Sequence, residues 1–313
     1  MIVFEGVAQR DEWRELPGSV REAVTDGLGA PVVSAINQRG GFSHGMAAVL
    51  TCADGNAVFA KAVRADDGLA GPYRAEAAAA RGLAGLVPTP AVLFTIERDG
   101  WFVVVFEFVT GHHPHLDQPR ELNAVLELLD RMATALTPSP LPAMPTVSEV
   151  YGPKLRCWTA LAEQSTPAEN LDAWTLRNLD RLAALEHRWL EWADGETLLH
   201  TDLRPDNLLV TADGSVMVVD WAWPCRGAAW LDLGFLAPAI AASGIDPDPI
   251  LATQPSTADL DRVAMDSFVC ALAGYWTVQS RLPVPPRSPN LRAYQKRAAA
   301  TSLSWFRSRM QWS

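Results

Sequence analysis

Hydrophobic and polar positions alternate in two rhythms along this chain. Between Val32 and Val63, "VVSAINQRGGFSHGMAAVLTCADGNAVFAKAV", apolar stretches of strand length are divided by a glycine-rich loop and by the pair Asp54-Gly55. Asp-Gly between two apolar runs suits a tight hairpin, because the central turn positions need a positive φ. "GPYRAEAAAARGLAGL" then has the alanine and glutamate content of a short helix, stopped by "VPTP". A second hairpin, "AVLFTIERDGWFVVVFEFV", folds at Asp99-Gly100. The expected order is three strands, a helix and two more strands, ending in the connector "TGHHPH".

Beyond that connector the rhythm becomes helical. Leu171, Trp174, Asn178, Leu182, Leu185, Trp189 and Trp192 recur at helical spacing, which predicts one long amphipathic helix ending near Asp194-Gly195. Two short strands, "NLLV" and "VMVVD", turn at Asp213-Gly214, and further helices follow, interrupted by "RLPVPPRSP". No internal repeat is present. The pattern predicts an α+β chain of two parts: residues 1–110 with an antiparallel sheet plus helix, and a mainly helical part over 111–313.

Composition narrows the partners. A net charge of -10 disfavours nucleic acid, whose phosphates call for a basic face. Cys52, Cys157, Cys225 and Cys270 are far apart, without the spacing of a zinc site or a disulfide framework. The start "MIVFEGVAQRDEW" turns acidic early, and no apolar run reaches the roughly 20 residues needed to span a bilayer. A cytoplasmic protein without membrane contact is expected, with a monomer favoured.

The stretch "LLHTDLRPDNLLV", residues 198–210, crowds polar groups between apolar pairs. Asn207 follows Asp202 across a loop containing Pro205, and Asp220 ends the second strand of the next hairpin. That hairpin can bring Asn207 and Asp220 to one edge, as hard oxygen ligands suited to Mg2+ shared with substrate phosphates. Asp202 is then free to accept a proton from an attacking hydroxyl. Lys61 interrupts the apolar "VFAKAV", where a lone ammonium is costly to desolvate, and Glu76 is its natural carboxylate partner. The loop Gly40-Gly41-Phe42-Ser43-His44-Gly45 can offer backbone N–H groups to a phosphate tail.

"HTDLRPDN" followed by "VVDW" resembles the catalytic and metal-binding motifs of the aminoglycoside phosphotransferase and choline kinase-like family, relatives of protein kinases. The likeness runs from Val32 to Phe235 and includes the hinge "FEFVTG" and the later "WLDL". It implies a two-lobed protein-kinase-like fold with ATP or GTP between the lobes and Mg2+ as cofactor. By resemblance Asp202 is the catalytic base, Asn207 and Asp220 are the Mg2+ ligands, Lys61 is the phosphate lysine and Glu76 its partner. Ser43 belongs to the phosphate loop. Glu107 and Val109 match hinge positions whose backbone meets the purine, and Phe106 before them narrows the pocket in a way that favours GTP. His200 and Asp232 hold the catalytic loop in shape.

Departures from protein kinases point to a small acceptor. "DWAWP" stands in place of D-F-G, and the short interval from Asp220 to Asp232 leaves little room for an activation loop. The expected activity is phosphoryl transfer to a small-molecule hydroxyl, with an antibiotic among the candidate acceptors, a metabolite kinase as the alternative and a nucleotide-binding pseudokinase behind both. His112, His113 and His115 are expected to be a solvated linker rather than a metal site. Trp221 and Trp223 either wall the acceptor pocket or pack beneath Asp220. From Arg281 to Ser313 the chain carries arginines and a lysine but no acid. If that segment borders the cleft, the acceptor is neutral or weakly charged rather than a polycation.

Overall fold

In the computed structural model, residues 8–164 and 171–312 are described; the acidic start read from "MIVFEGVAQRDEW" falls partly on residues 1–7, outside the described residues. The sequence rhythm between Val32 and Glu107 becomes an antiparallel sheet of five strands: β1 (Val32–Asn37), β2 (Met46–Cys52), β3 (Ala57–Arg64), β4 (Val92–Arg98) and β5 (Trp101–Glu107). Their spatial order is β1-β2-β3-β5-β4. A helix absent from the expected order, α1 (Gly18–Leu28), precedes β1, and α2 (Ala70–Gly82) joins β3 to β4. Asp99 and Gly100 both take positive φ, as the hairpin between β4 and β5 requires.

The two helices cover opposite faces of this sheet. Val58, Ala60 and Ala62 of β3, with Trp101, Val103 and Val105 of β5, pack with Val20 and Val24 of α1. The alternate residues Phe59, Val63, Phe102, Val104 and Phe106 pack with Tyr73, Ala77 and Ala80 of α2. Burial on both faces explains why β5 reads as an unbroken apolar run instead of alternating. Strand alternation also puts Lys61 on the α2 face, toward Glu76.

The rest of the chain is mainly helical. It contains α3 (Pro119–Ala135), α4 (Val147–Tyr151), α5 (Cys157–Ala162), α6 (Ala173–Arg177) and α7 (Leu179–Leu185). Short strands β6 (Thr197–Leu199), β7 (Leu208–Val210), β8 (Val216–Val218) and β9 (Cys225–Gly227) follow, then α8 (Trp230–Ala242), α9 (Asp248–Leu251), α10 (Arg262–Gln279) and α11 (Leu291–Met310). Trp158, Trp189, Trp230 and Phe268 are among the residues that fill the large core of this part. The architecture is the expected two-lobed α+β fold.

The long helix expected from Leu171 to Trp192 is instead two short helices and a 3-10 turn over Arg188–Trp192. Two polar side chains mark the breaks. At Asn178, the C-cap of the first of them, the side-chain amide joins its own backbone N–H on the Trp174 carbonyl, each at 3.1 Å. Buried Glu186 accepts from the Trp158 and Thr159 amides at 2.9 and 2.6 Å and so serves the first turn of α5. Trp189 is buried, while Trp174 and Trp192 are partly buried against the same core.

Candidate active site

The local sequence fixes how the polar stretch is held. β6 leads into His200 and pairs antiparallel with β9, while β7 and β8 form the hairpin turned at Asp213-Gly214. The loop of residues 200–207 and the segment 220–224 therefore emerge side by side from two short strand pairs. Both Thr201 and Asp220 have left-handed backbone, with φ of 62° and 64°, which costs a non-glycine residue about 1 kcal/mol or more.

That strained loop is pinned from within. Asp232, at the start of α8, accepts the His200 amide at 3.0 Å and the Thr201 amide at 2.9 Å. The Thr201 hydroxyl donates to the Trp223 carbonyl at 2.6 Å and lies 3.0 Å from the Tyr151 hydroxyl. His200 is fully buried, and its Nδ1 lies 3.2 Å from the Asp202 amide as its acceptor. Its Nε2 lies 3.0 Å from the Val219 carbonyl and must be the protonated nitrogen. Burial lowers the His200 pKa, so the ring is a neutral brace.

Asp202 and Asn207 meet at the mouth of the loop. The Asn207 side-chain amide donates to the Asp202 carbonyl at 2.8 Å and to its carboxylate at 3.1 Å. With the nitrogen so fixed, Oδ1 of Asn207 is turned away from Asp202. The Val219 amide donates to the Asn207 carbonyl at 3.0 Å, which brings Asn207 beside the residue before Asp220. The Asp202 carboxylate keeps a side-chain exposure of 32%. Burial of the loop nonetheless pushes its pKa up to about 6, with Arg204 opposing and Asp206 adding to the shift.

Opposite the loop stands the lysine of β3. Lys61 Nζ lies 2.7 Å from each carboxylate oxygen of Glu76 and 3.0 Å from Asp220 Oδ1. Burial works against the ammonium, but Asp220 and Glu76 outweigh it and raise the Lys61 pKa. Burial likewise works against Asp220, and Lys61 outweighs it, holding Asp220 below the usual carboxylate range. The donor set of Asn207 and Asp220, hard oxygens with Lys61 alongside, fits Mg2+ carried by a nucleotide phosphate tail.

The remaining candidates sit on other segments. Ser43 is on the β1–β2 loop, Glu107 ends β5 with its amide bonded to the Ala91 carbonyl at 2.8 Å, and Val109 follows. Among the described residues none of these three hydrogen-bonds the charged cluster. Gly40 and Gly41 have φ of 114° and 69°, so the loop turns where side chains are disfavoured. Arg10 donates to the carbonyls of Gly40 and Gly45 at 2.7 and 3.1 Å, a tether that the sequence pattern did not indicate.

Arg204 lies within the motif "HTDLRPDN", two residues after Asp202. Its guanidinium forms ion pairs with Asp202 at 3.4 Å and Asp206 at 3.3 Å. It also lies 5.9 Å from the Phe42 ring centroid and 5.5 Å from that of Tyr294. Its position two residues after Asp202 was the one available signal. The histidines of the connector are exposed but tied down: His112 contacts Glu121 at 3.1 Å, and His113 contacts the Leu208 carbonyl at 3.1 Å. The two tryptophans divide, Trp221 packing on His200 at 4.8 Å between centroids and Trp223 standing exposed with Lys154 over its ring.

No helix among the described residues is long and apolar enough to cross a membrane. Similar solved structures include the spectinomycin phosphotransferase APH(9)-Ia in complex with ADP and spectinomycin, at 15% identity and TM-score 0.62, covering 93% of this chain and 94% of that one. A choline kinase, LicA from Streptococcus pneumoniae, matches at 13% identity and TM-score 0.61, over 93% and 98% of the two chains. A thermostable mutant of the aminoglycoside phosphotransferase APH(4)-Ia, with AMP-PNP and hygromycin B, matches at 16% identity and TM-score 0.61, over 93% and 99%. At such identities these likenesses carry the fold, a kinase-like one. No curated protein matches the chain in sequence. The model of the phosphotransferase enzyme family matches residues 37–266, the greater part of the sequence, and the chain belongs to that family.

Proposed function

We propose that the protein is a Mg2+-dependent phosphotransferase that moves the γ-phosphoryl group of ATP or GTP to a hydroxyl of a small molecule. The observation that carries this reading is the Lys61–Asp220 contact of 3.0 Å, which joins the sheet to the hairpin behind the catalytic loop. In this reading residues 1–110 hold the nucleotide, with Ser43 near its phosphates and Glu107 and Val109 at its base. Residues 111–313 carry the catalytic loop and the acceptor.

Asp202 orients the acceptor hydroxyl and takes its proton as the oxygen attacks the γ-phosphorus. The bond to the β,γ-bridging oxygen breaks, and the nucleoside diphosphate leaves with that oxygen. Lys61, kept charged by its two carboxylate neighbours, binds the phosphate tail. Asn207 and Asp220 would hold Mg2+, which neutralises charge on the phosphates when bound. Catalysis is then mainly positioning and charge neutralisation.

Structures with nucleotide analogue, spectinomycin and hygromycin B among the neighbours support a nucleotide donor and a small hydroxylated acceptor. The TM-scores to a choline kinase and to an antibiotic kinase differ by little, so fold alone does not choose between an antibiotic and a metabolite. The test is to incubate the purified chain with ATP or GTP, Mg2+ and a panel of alcohols and to follow phosphorylated product by mass. Transfer that stops when Mg2+ is chelated is expected. Absence of Mg2+-dependent nucleotide binding refutes the reading.

A further inference from the structure

Asp202 lines an open cleft between α8, α10 and α11. Its walls are apolar: Phe235 and Pro238 from α8, Leu272 and Trp276 from α10, and Ala298 from α11. Three charged groups line it, the Asp202 carboxylate and the guanidinium-bearing Arg204 and Arg297. Among the described lining residues Asp202 is the only acid, and Arg204 already contacts it at 3.4 Å.

Four acids of the neighbouring segment, Asp246, Asp248, Asp261 and Asp266, are engaged elsewhere. Asp248 and Asp266 both pair with Arg309, Asp266 at 2.5 Å, about two turns along α11 from the cleft residue Thr301. Asp261 caps α10 by accepting the Val263 amide at 2.8 Å, and Asp246 accepts the Asp248 amide at 3.1 Å. Nor do the aromatic rings form an open cage for a quaternary ammonium. Arg204 lies over Tyr294, and Phe235 packs against Phe268 and Tyr151 with centroids 5.0 and 5.3 Å away.

We infer that the acceptor is an alcohol with a largely apolar or aromatic body and no cluster of ammonium groups. Its apolar part leaves water for the α8–α10–α11 walls, and its hydroxyl reaches Asp202. A polyamine would instead meet a single lining carboxylate and two guanidinium groups, Arg297 and the Arg204 that Asp202 and Asp206 already share. This assignment rests on the phosphotransferase reading above, and the test separates the two.

The full chain with Mg2+ and ATP or GTP is assayed on five acceptors: phenyl β-glucoside and chloramphenicol, which are neutral and aromatic; methyl β-glucoside, neutral and polar; and choline and kanamycin, which are cationic. The expected result is kcat/KM at least tenfold higher on the aromatic pair than on the other three, and unchanged between low and high salt. Best turnover on choline or kanamycin overturns the inference, as does equal turnover of methyl and phenyl glucosides. Failure to phosphorylate either aromatic acceptor, while Mg2+-nucleotide still binds by calorimetry, overturns the acceptor class alone. Loss of nucleotide binding as well removes the underlying reading.

Discussion

The Lys61 ammonium lies 3.0 Å from the Asp220 carboxylate, so a side chain of the sheet and one of the catalytic hairpin share an ion pair. Glu76 completes the arrangement from α2 at 2.7 Å and is almost fully buried. Removing the lysine strands that buried carboxylate. Lys61→Met is expected to destabilise the fold by about 3 to 5 kcal/mol, and adding Glu76→Leu should recover most of it. Turnover should stay lost in both variants, because neither regains a cation for the phosphates. Denaturant melts and product assays on the single and double variants check this; a double variant that turns over normally removes Lys61 from the phosphate site.

Asp202 and Asp220 should fail differently. Asp202→Ala is expected to lower kcat by about 10²-fold or more while nucleotide affinity changes little, since its carboxylate contacts Asn207 and Arg204 rather than Lys61. Asp220→Ala should weaken Mg2+-dependent nucleotide binding itself. Calorimetric titration with and without Mg2+ distinguishes the two. Near-normal turnover in the first variant, or unchanged affinity in the second, contradicts the assigned role.

Much of this site is legible in the sequence because its parts are local. Asp54-Gly55, Asp99-Gly100 and Asp213-Gly214 announce their hairpins through turn chemistry. Lys61 and Glu76 stand out because a charge within an apolar strand demands a partner on the next element. The features that were not legible depend on distant contacts. Helix α1 has no side-chain N-cap and buries only Val20 and Val24, so little in its own residues marks it. The expected long helix breaks at Asn178 and Glu186, where side chains take backbone partners that periodicity ignores. Arg204 gains meaning only when folding brings Phe42 and Tyr294 around it.

Phe106 offers a test of donor choice. It is buried on the same face of the sheet as Lys61, with its ring centroid 6.5 Å from that of Phe59. If the nucleotide base is held at the end of β5 as proposed, a bulky ring there would shorten its pocket, and kcat/KM for GTP is expected to equal or exceed that for ATP. Phe106→Ala should shift the ratio toward ATP. A strong ATP preference in the unaltered protein defeats the idea.

Asp232 holds the geometry of the loop that presents Asp202. Its two oxygens accept the amides of His200 and Thr201, and Thr201 is the residue held in left-handed backbone. Asp232→Ala leaves two buried donors without their acceptor, each costing about 1 to 3 kcal/mol, and lets Thr201 relax. The expected result is a marked loss of stability, with kcat falling more than nucleotide affinity because Asp202 follows Thr201 directly. Asp232→Asn, which keeps one acceptor oxygen, should lie between. Equal effects of the two variants on kcat count against a positioning role.

The glycine loop is fastened to the helical part by a clasp whose release should be kinetic. The Arg287 guanidinium reaches Asp11 at 2.6 Å and the Gln9 carbonyl at 3.0 Å, and the Gln9 amide returns to the Arg287 carbonyl at 2.8 Å. Next to it the Ser288 hydroxyl donates to the Phe42 carbonyl at 2.5 Å, and the Phe42 ring meets Tyr294 at 4.9 Å. Arg10, between Gln9 and Asp11, holds the loop carbonyls of Gly40 and Gly45. The Arg287–Asp11 pair is partly exposed, with side-chain exposures of 41% and 24%, so its loss should cost no more than about 1 kcal/mol of stability. Its kinetic effect is expected to be larger, because it ties the segment that carries Arg10, the tether of the glycine loop, to the segment before α11. Arg287→Ala is therefore expected to melt almost as the unaltered protein does while releasing nucleotide several-fold faster. Stopped-flow displacement of a fluorescent nucleotide analogue reads the rate, and release at the original rate would mean that Phe42 and Ser288 hold the loop closed without the arginine.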